Sequence, residues 1–156
     1  MRIKWKQLLI AVAIPLAVGG LAASLTSGSM DMFEMVKKPP LSPPGWLFPV
    51  VWTILYTLMG IASYLVWQTT GSPRLRERAL RLYAAQLAVN FVWPLFFFNL
   101  EWYLFAFIWL VLLWVLVLLT WLSFRRLSPV AGWLLVPYLL WVTFAGYLNL
   151  GIYILN

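Results

Sequence analysis

The sequence predicts an all-α membrane protein, a bundle of five transmembrane helices, and two observations carry that prediction. Of the 156 residues, 64% are hydrophobic and only 10% are charged, against roughly 45–50% and 25% in soluble domains. The apolar residues also fall into five long runs, and a helix needs about 20 of them to cross the hydrocarbon layer. Because little chain remains between the runs, we expect residues 1–156 to form a single transmembrane domain.

The five predicted spans are approximately Gln7–Thr26, Gly45–Trp67, Ala79–Phe98, Trp102–Phe124 and Val130–Leu155. The first span resembles a secretory signal peptide, since basic residues precede its apolar run. That run is too long for a cleaved leader, and its Pro15, Gly19 and Gly20 suit a packed membrane helix. Between the third and fourth spans only residues 99–101 intervene, which predicts an antiparallel helical hairpin.

The loop before the second span is unusually rich in proline. The stretch from Lys38 to Trp52 reads KPPLSPPGWLFPVVW and holds five of the ten prolines in the chain. Proline fixes one backbone torsion and lacks the amide donor. The stretch therefore predicts a stiff loop that covers one end of the bundle and then enters the second helix.

Basic residues concentrate at one end of the predicted bundle. When successive loops are assigned alternately to the two sides, only Lys37 and Lys38 lie at the other end. The nine at the basic end are Arg2, Lys4, Lys6, Arg74, Arg76, Arg78, Arg81, Arg125 and Arg126. Because basic residues near span ends stay cytoplasmic, we expect the amino terminus inside and the carboxyl terminus outside, in a bacterial cytoplasmic membrane. The same distribution favours anionic lipid headgroups over nucleic acid as the partner of a chain with net charge +7.

Three spans carry polar and aromatic residues on a single face. The sets recur at intervals of three or four residues: Trp52 and Tyr56; Gln86, Asn90, Trp93 and Phe97; Trp141, Ala145 and Asn149. Such spacing places each set on one side of its helix. One interpretation is a shared ligand pocket. The alternative is that the amides only hydrogen-bond between helices, as amides in membranes do.

Several kinds of chemistry are disfavoured by composition. The chain contains no cysteine and no histidine, so we predict no disulfide, no metal site and no haem ligation through imidazole or thiolate. The predicted spans contain no pair of acids and no buried lysine or arginine. A proton-coupled pump normally needs an ionisable group there, and general acid–base hydrolysis needs one too.

The chain resembles the translocator protein family, whose members are also called tryptophan-rich sensory proteins or peripheral-type benzodiazepine receptors. Three long blocks carry the resemblance in the expected order: PPGWLFPVVWTILYTLMGIASYLVW, QLAVNFVWPLFFF and SPVAGWLLVPYLLWVTFAGYLN. The resemblance implies a five-helix membrane bundle, commonly a homodimer. In this chain the pair Ala84 and Ala88 permits the close helix approach that a dimer contact needs.

The resemblance also implies binding of porphyrins such as protoporphyrin IX, as a ligand rather than a cofactor, and of benzodiazepine-type ligands in some members. The matching pocket residues are Trp52, Tyr56, Gln86, Asn90, Trp93, Trp141, Ala145 and Leu148. We expect Lys37 and Lys38 to lie near the mouth and to pair with the porphyrin propionates. Two departures stand out: Met32 and Phe33 replace an aromatic pair of the family's loop, and no basic residue follows Tyr153, so a proposed sterol motif fails.

We therefore expect a membrane receptor or sensor that binds tetrapyrroles and regulates their handling or a stress response. One alternative is a transporter of porphyrin or similar apolar anions, and another is a purely structural membrane scaffold. A third is an enzyme that degrades bound porphyrin in light, as the resemblance implies for some members. In that case Trp52 and Trp141 are the candidate catalytic residues, because indole is easily oxidised and can donate an electron to an excited porphyrin.

Overall fold

The structure is a computed structural model that describes residues 2–156. Its five long helices are α1 (Trp5–Thr26), α3 (Leu47–Trp67), α4 (Pro73–Pro94), α5 (Tyr103–Leu127) and α6 (Pro129–Leu155), and the short helix α2 (Asp31–Met35) lies in the first loop. Each of the five is long and apolar enough to cross a membrane. The predicted all-α fold with five transmembrane helices is confirmed.

Two of the long helices begin with the same Ser-Pro signal. The hydroxyl of Ser72 accepts a hydrogen bond from the Leu75 amide at 3.3 Å, and Ser128 does the same for Ala131 at 3.2 Å. Proline suits the first helical position because its missing N–H would have no partner there. This cap explains why α4 begins at Pro73 rather than at Ala79, where the apolar run starts.

A wide turn joins α4 to α5. Leu95–Asn99 forms a π-helix directly after Pro94, and the Trp102 amide donates back to the Phe96 carbonyl at 3.0 Å. The Asn99 side chain donates to the carbonyl of Leu25 at 3.0 Å and so fixes this turn to the end of α1. The short connection places α4 and α5 side by side in opposite directions.

Helix α1 packs closely against α3 at one glycine. A Cβ atom on Gly60 would lie 2.6 Å from the Cα of Val12 and 2.8 Å from the Ala11 carbonyl oxygen. Such distances admit only glycine. Most of α1 is nevertheless exposed on the outside of the bundle, and its buried residues are Pro15, Ala22 and Thr26.

The first loop docks on the bundle through α2. Phe33 is 2% exposed and meets the ring of Phe48 edge-on, with the ring centroids 5.0 Å apart. The Lys38 ammonium donates to the Phe33 carbonyl at 2.7 Å and lies over the Phe33 ring at 4.9 Å. These contacts hold the first loop over the end of the bundle. We call this loop, residues 27–46, the lid.

Helix α6 and Asn156, the residue that follows it, also hold the lid. The Asn156 side chain accepts from the Lys37 amide at 3.2 Å and donates to the Lys37 carbonyl at 2.8 Å. The Tyr147 hydroxyl donates to the Pro40 carbonyl at 2.6 Å. Pro39 packs directly on Gly151, where a Cβ would lie 2.5 Å from the proline ring. The lid is therefore fastened to α6 by side chains that lie far from it in sequence.

Candidate ligand-binding site

A cavity lies beneath the lid between α1, α3 and α4. Its lining is mostly apolar and aromatic and comprises Gly19, Ala22, Ala23, Thr26, Met30, Phe48, Pro49, Trp52, Tyr56, Asn90, Trp93, Pro94 and Phe98. The volume is about 100 Å³, or about 600 Å³ when the surrounding gaps and the open mouth are counted. Since pockets for drug-sized ligands usually measure roughly 300–1,000 Å³, a broad ligand requires the lid and the lining side chains to move apart.

Four side chains, two of them in the cavity wall, form one buried hydrogen-bond chain. The Tyr56 hydroxyl donates to the amide oxygen of Asn90 at 3.0 Å, and the Asn90 amide nitrogen donates to the Tyr138 hydroxyl at 2.7 Å. Tyr138 in turn donates to the amide oxygen of Gln86. Because these side chains come from α3, α4 and α6, the chain ties three helices together where water cannot replace a lost partner.

Asn149 holds the indole of Trp93, a residue of the cavity lining, in place. Its amide oxygen accepts from Nε1 of Trp93 at 3.1 Å, and its amide nitrogen donates to the Tyr103 carbonyl at 2.8 Å. The Trp93 ring stacks on Phe97 with the centroids 5.1 Å apart. With its N–H engaged and its ring packed, Trp93 presents a fixed aromatic surface to the cavity.

Trp52 contributes the other indole of the cavity lining. Its ring stacks on Tyr56 at 5.5 Å and meets Tyr138 edge-on at 6.2 Å. It is only half-buried because part of the ring borders the cavity. Trp52, Tyr56, Asn90 and Trp93 are thus brought together in one lining, and Gln86 lies directly behind them in the hydrogen-bond chain.

The residues of α6 from the same candidate set lie outside the lining. The Trp141 ring meets Phe48 edge-on at 5.8 Å, so Phe48 stands between Trp141 and the cavity. The Trp141 Nε1 is buried and has no hydrogen-bond partner within residues 2–156. Ala145 and Leu148 are buried at 4% exposure each. A contact between a ligand and these α6 residues requires Phe48 or the cavity wall to shift.

The two lysines of the lid occupy different environments. The Lys38 ammonium is used within the lid, where carbonyl oxygens of the α2 region surround it. Lys37 is held only through its backbone, and its side chain is exposed. Neither lysine belongs to the lining of the cavity.

Sequence reasoning missed Tyr138 and the α1 wall. Tyr138 lies three residues before Trp141 and seven before Ala145, so the spacing that joined those two also includes it. On α1, Gly19, Ala22, Ala23 and Thr26 follow the same helical spacing, but they are small and carry little signal. At position 19 glycine is required, because a Cβ there would overlap the Tyr56 ring, which packs directly against α1.

Comparison with known proteins shows sequence similarity along nearly the whole chain. Residues 11–155 match the model of the TspO/MBR family. A tryptophan-rich protein TspO from Chlorobaculum tepidum is 40% identical over 155 residues, covering 97% of this chain and 98% of that protein. The tryptophan-rich protein TspO of Archaeoglobus fulgidus is 36% identical over 151 residues (96% and 97%), and the translocator protein of Bos taurus is 37% identical over 138 residues (87% and 82%).

Proposed function

Because this chain belongs to the TspO/MBR family of multi-pass membrane proteins, we propose that it is a receptor or sensor for a porphyrin or similar tetrapyrrole. The ligand binds in the cavity beneath the lid, and its binding regulates tetrapyrrole handling or a stress response. We also propose that the protein lies in a bacterial cytoplasmic membrane with the lid and the carboxyl terminus outside, the orientation that the charge bias favours.

One observation carries this proposal: two indoles and one amide line a single apolar slot. Trp52 and Trp93 offer aromatic surfaces, and Asn90 adds a polar group to the same cavity wall. A planar aromatic ligand gains most from stacked or edge-on aromatic neighbours and a few placed polar groups. A tetrapyrrole has that shape.

The size of the cavity implies that the bundle opens when a porphyrin binds. A porphyrin is broader than a cavity of about 100 Å³, so binding displaces the lid or α1. The prolines of the lid lower the conformational entropy that the loop loses when it closes again. A smaller polycyclic ligand of the benzodiazepine type needs less displacement, and we propose that it binds in the same place.

The direct test is a titration of the purified protein with protoporphyrin IX, followed by tryptophan fluorescence. Porphyrin bound near Trp52 and Trp93 should quench the emission saturably, with one ligand per chain. A purely structural scaffold gives no saturable quenching. Uptake of porphyrin into sealed vesicles against matched empty vesicles then separates a transporter from a receptor.

A second candidate function is light-dependent degradation of the bound porphyrin, and the position of Trp52 favours it. Its indole borders the cavity, so an excited porphyrin there can take an electron from it. Trp141 lies one aromatic ring further away, behind Phe48. Illumination should bleach porphyrin more slowly in the Trp52→Phe variant than in Trp141→Phe, and equal bleaching in wild type and the double variant removes this role.

A further inference from the structure

Leu41, in the proline-rich part of the lid, combines two unfavourable features. Its backbone φ is 70°, in the left-handed region that favours glycine or asparagine and is strained for leucine. Its side chain is 85% exposed, so packing within the protein does little to offset the strain. A strained residue with an exposed apolar side chain points to a stabilising contact outside the chain.

Hydrogen bonds on both sides of the peptide before Leu41 hold this turn. The Ser42 hydroxyl donates to the Pro39 carbonyl at 2.7 Å, and the Tyr147 hydroxyl donates to the Pro40 carbonyl at 2.6 Å. Pro39 and Pro40 also have restricted φ angles. The turn is therefore stiff, and it keeps the leucine directed away from the protein.

The turn lies on the lipid-facing side of α6. Leu140, Tyr147 and Ile154 follow one another at intervals of seven residues, so they share one face of this membrane-spanning helix. They are 66%, 43% and 69% exposed, and lipid is therefore the environment of that face. Because Tyr147 of this face bonds the Pro40 carbonyl, the next residue, Leu41, lies beside the same lipid-facing surface.

The length of α6 places this contact at the edge of the hydrocarbon layer. The helix begins at Pro129, directly after the basic residues Arg125 and Arg126, which belong at the headgroups of the opposite leaflet. A layer about 30 Å thick takes about 20 helical residues, so its other boundary falls between Tyr147 and Gly151. Pro39 packs on Gly151 and Pro40 bonds Tyr147, so the turn lies at that boundary.

From these observations we propose that Leu41 inserts into the leaflet on the lid side and anchors the lid to the bilayer. The partner is the acyl-chain boundary of a lipid surface, since the side chain is apolar and offers a headgroup no charge. Burial of the leucine there offsets the strain of its backbone. Opening the lid then requires withdrawal of Leu41 from the bilayer, so the membrane itself helps to keep the cavity closed. The anchor stands or falls independently of porphyrin binding.

A fluorescent label at position 41 tests the insertion directly. Because the chain contains no cysteine, Leu41→Cys carries one environment-sensitive label, and the protein is placed in phosphatidylcholine nanodiscs with one chain per disc. We expect blue-shifted emission and strong quenching by lipid that carries a nitroxide on the acyl chain near the headgroup. Glu34→Cys, an exposed lid position beside Gly45, is the matched control and should show the emission of a label in water.

A pair of unlabelled variants separates anchoring from a purely structural role of the turn. Asparagine tolerates a positive φ, so Leu41→Asn relieves the strain but removes the apolar side chain. If Leu41 anchors the lid, trypsin should cut after Lys37 in nanodiscs roughly tenfold faster in Leu41→Asn than in wild type, because the open lid is more populated. Leu41→Met keeps an apolar side chain and should be cut at the wild-type rate.

The proposal is overturned if the label at position 41 is quenched no more than the label at position 34. It is also overturned if Leu41→Asn is cut as slowly as wild type or more slowly, since the turn would then have only a structural role. Blue-shifted emission that appears only with two chains per disc, without quenching by the nitroxide lipid, would assign Leu41 to a contact with a second copy instead.

Discussion

Tyr138 is the residue on which the buried polar chain depends, because its hydroxyl accepts from Asn90 and donates to Gln86. It is 2% exposed, so water cannot replace it. The amide oxygen of Asn90 also accepts a hydrogen bond from the Tyr56 hydroxyl at 3.0 Å. The position of Asn90 in the cavity wall is therefore set by two tyrosines on two other helices.

We predict that Tyr138→Phe destabilises the protein by about 1–3 kcal/mol, because it leaves two buried amide groups unpaired. Thermal unfolding in detergent, followed by circular dichroism, measures the change. Tyr153→Phe serves as the control, since that side chain is exposed. An equal unfolding temperature for both variants would show that the hydrogen-bond chain contributes nothing measurable.

The two lid lysines should separate in their effects on porphyrin. Lys37→Ala removes an exposed ammonium and should weaken protoporphyrin IX binding at low salt, with a smaller salt dependence than wild type. Lys38→Ala removes a group that bonds the Phe33 carbonyl, so its main effect should be a loosened lid with faster proteolysis there. The measurements are porphyrin affinity at low and high salt and the rate of cleavage in the lid. Identical salt dependence in wild type and Lys37→Ala would rule out propionate pairing.

At the scale of whole helices, the contact between α1 and α3 depends on Gly60. We predict that Gly60→Ala destabilises the fold by about 1–3 kcal/mol, since overpacking at such a contact forces the helices apart. Gly20→Ala is the matched control, because nothing lies within 4 Å of a Cβ built there. Thermal unfolding of both variants checks the prediction, which fails if Gly20→Ala is as destabilising as Gly60→Ala.

The helices and their order could be predicted from hydropathy, whereas the precise cavity could not. Apolar runs reveal spans because the hydrocarbon layer demands them. Helical spacing identified Trp52, Tyr56, Asn90 and Trp93, which share the lining. It could not show that Phe48 would separate Trp141 from that lining. Nor could it show that α1 forms a wall of the cavity, because glycine and alanine occur on any face of a membrane helix and so do not mark one.

For the whole molecule, we propose a homodimer that uses the exposed face of α4. Ala84 and Ala88 are both exposed on that helix, and a small-xxx-small pair permits close approach. Because the chain contains no cysteine, Ala84→Cys provides a single reactive position. We expect oxidation in native membranes to yield a disulfide-linked dimer, whereas Leu140→Cys, which is 66% exposed on α6, should not. Only monomer from Ala84→Cys would contradict this interface.

The central claim is that a tetrapyrrole binds in the slot between α1, α3 and α4, and filling that slot tests it most directly. The measurement is the affinity of protoporphyrin IX, by fluorescence quenching, for two variants of α1. Ala23→Phe adds a ring to a residue of the lining, and Ala17→Phe adds the same ring to an exposed residue outside it. We predict that Ala23→Phe weakens binding by about tenfold or more, because the added ring occupies the slot, while Ala17→Phe binds as wild type does. Equal affinity in wild type and both variants would show that the porphyrin binds elsewhere.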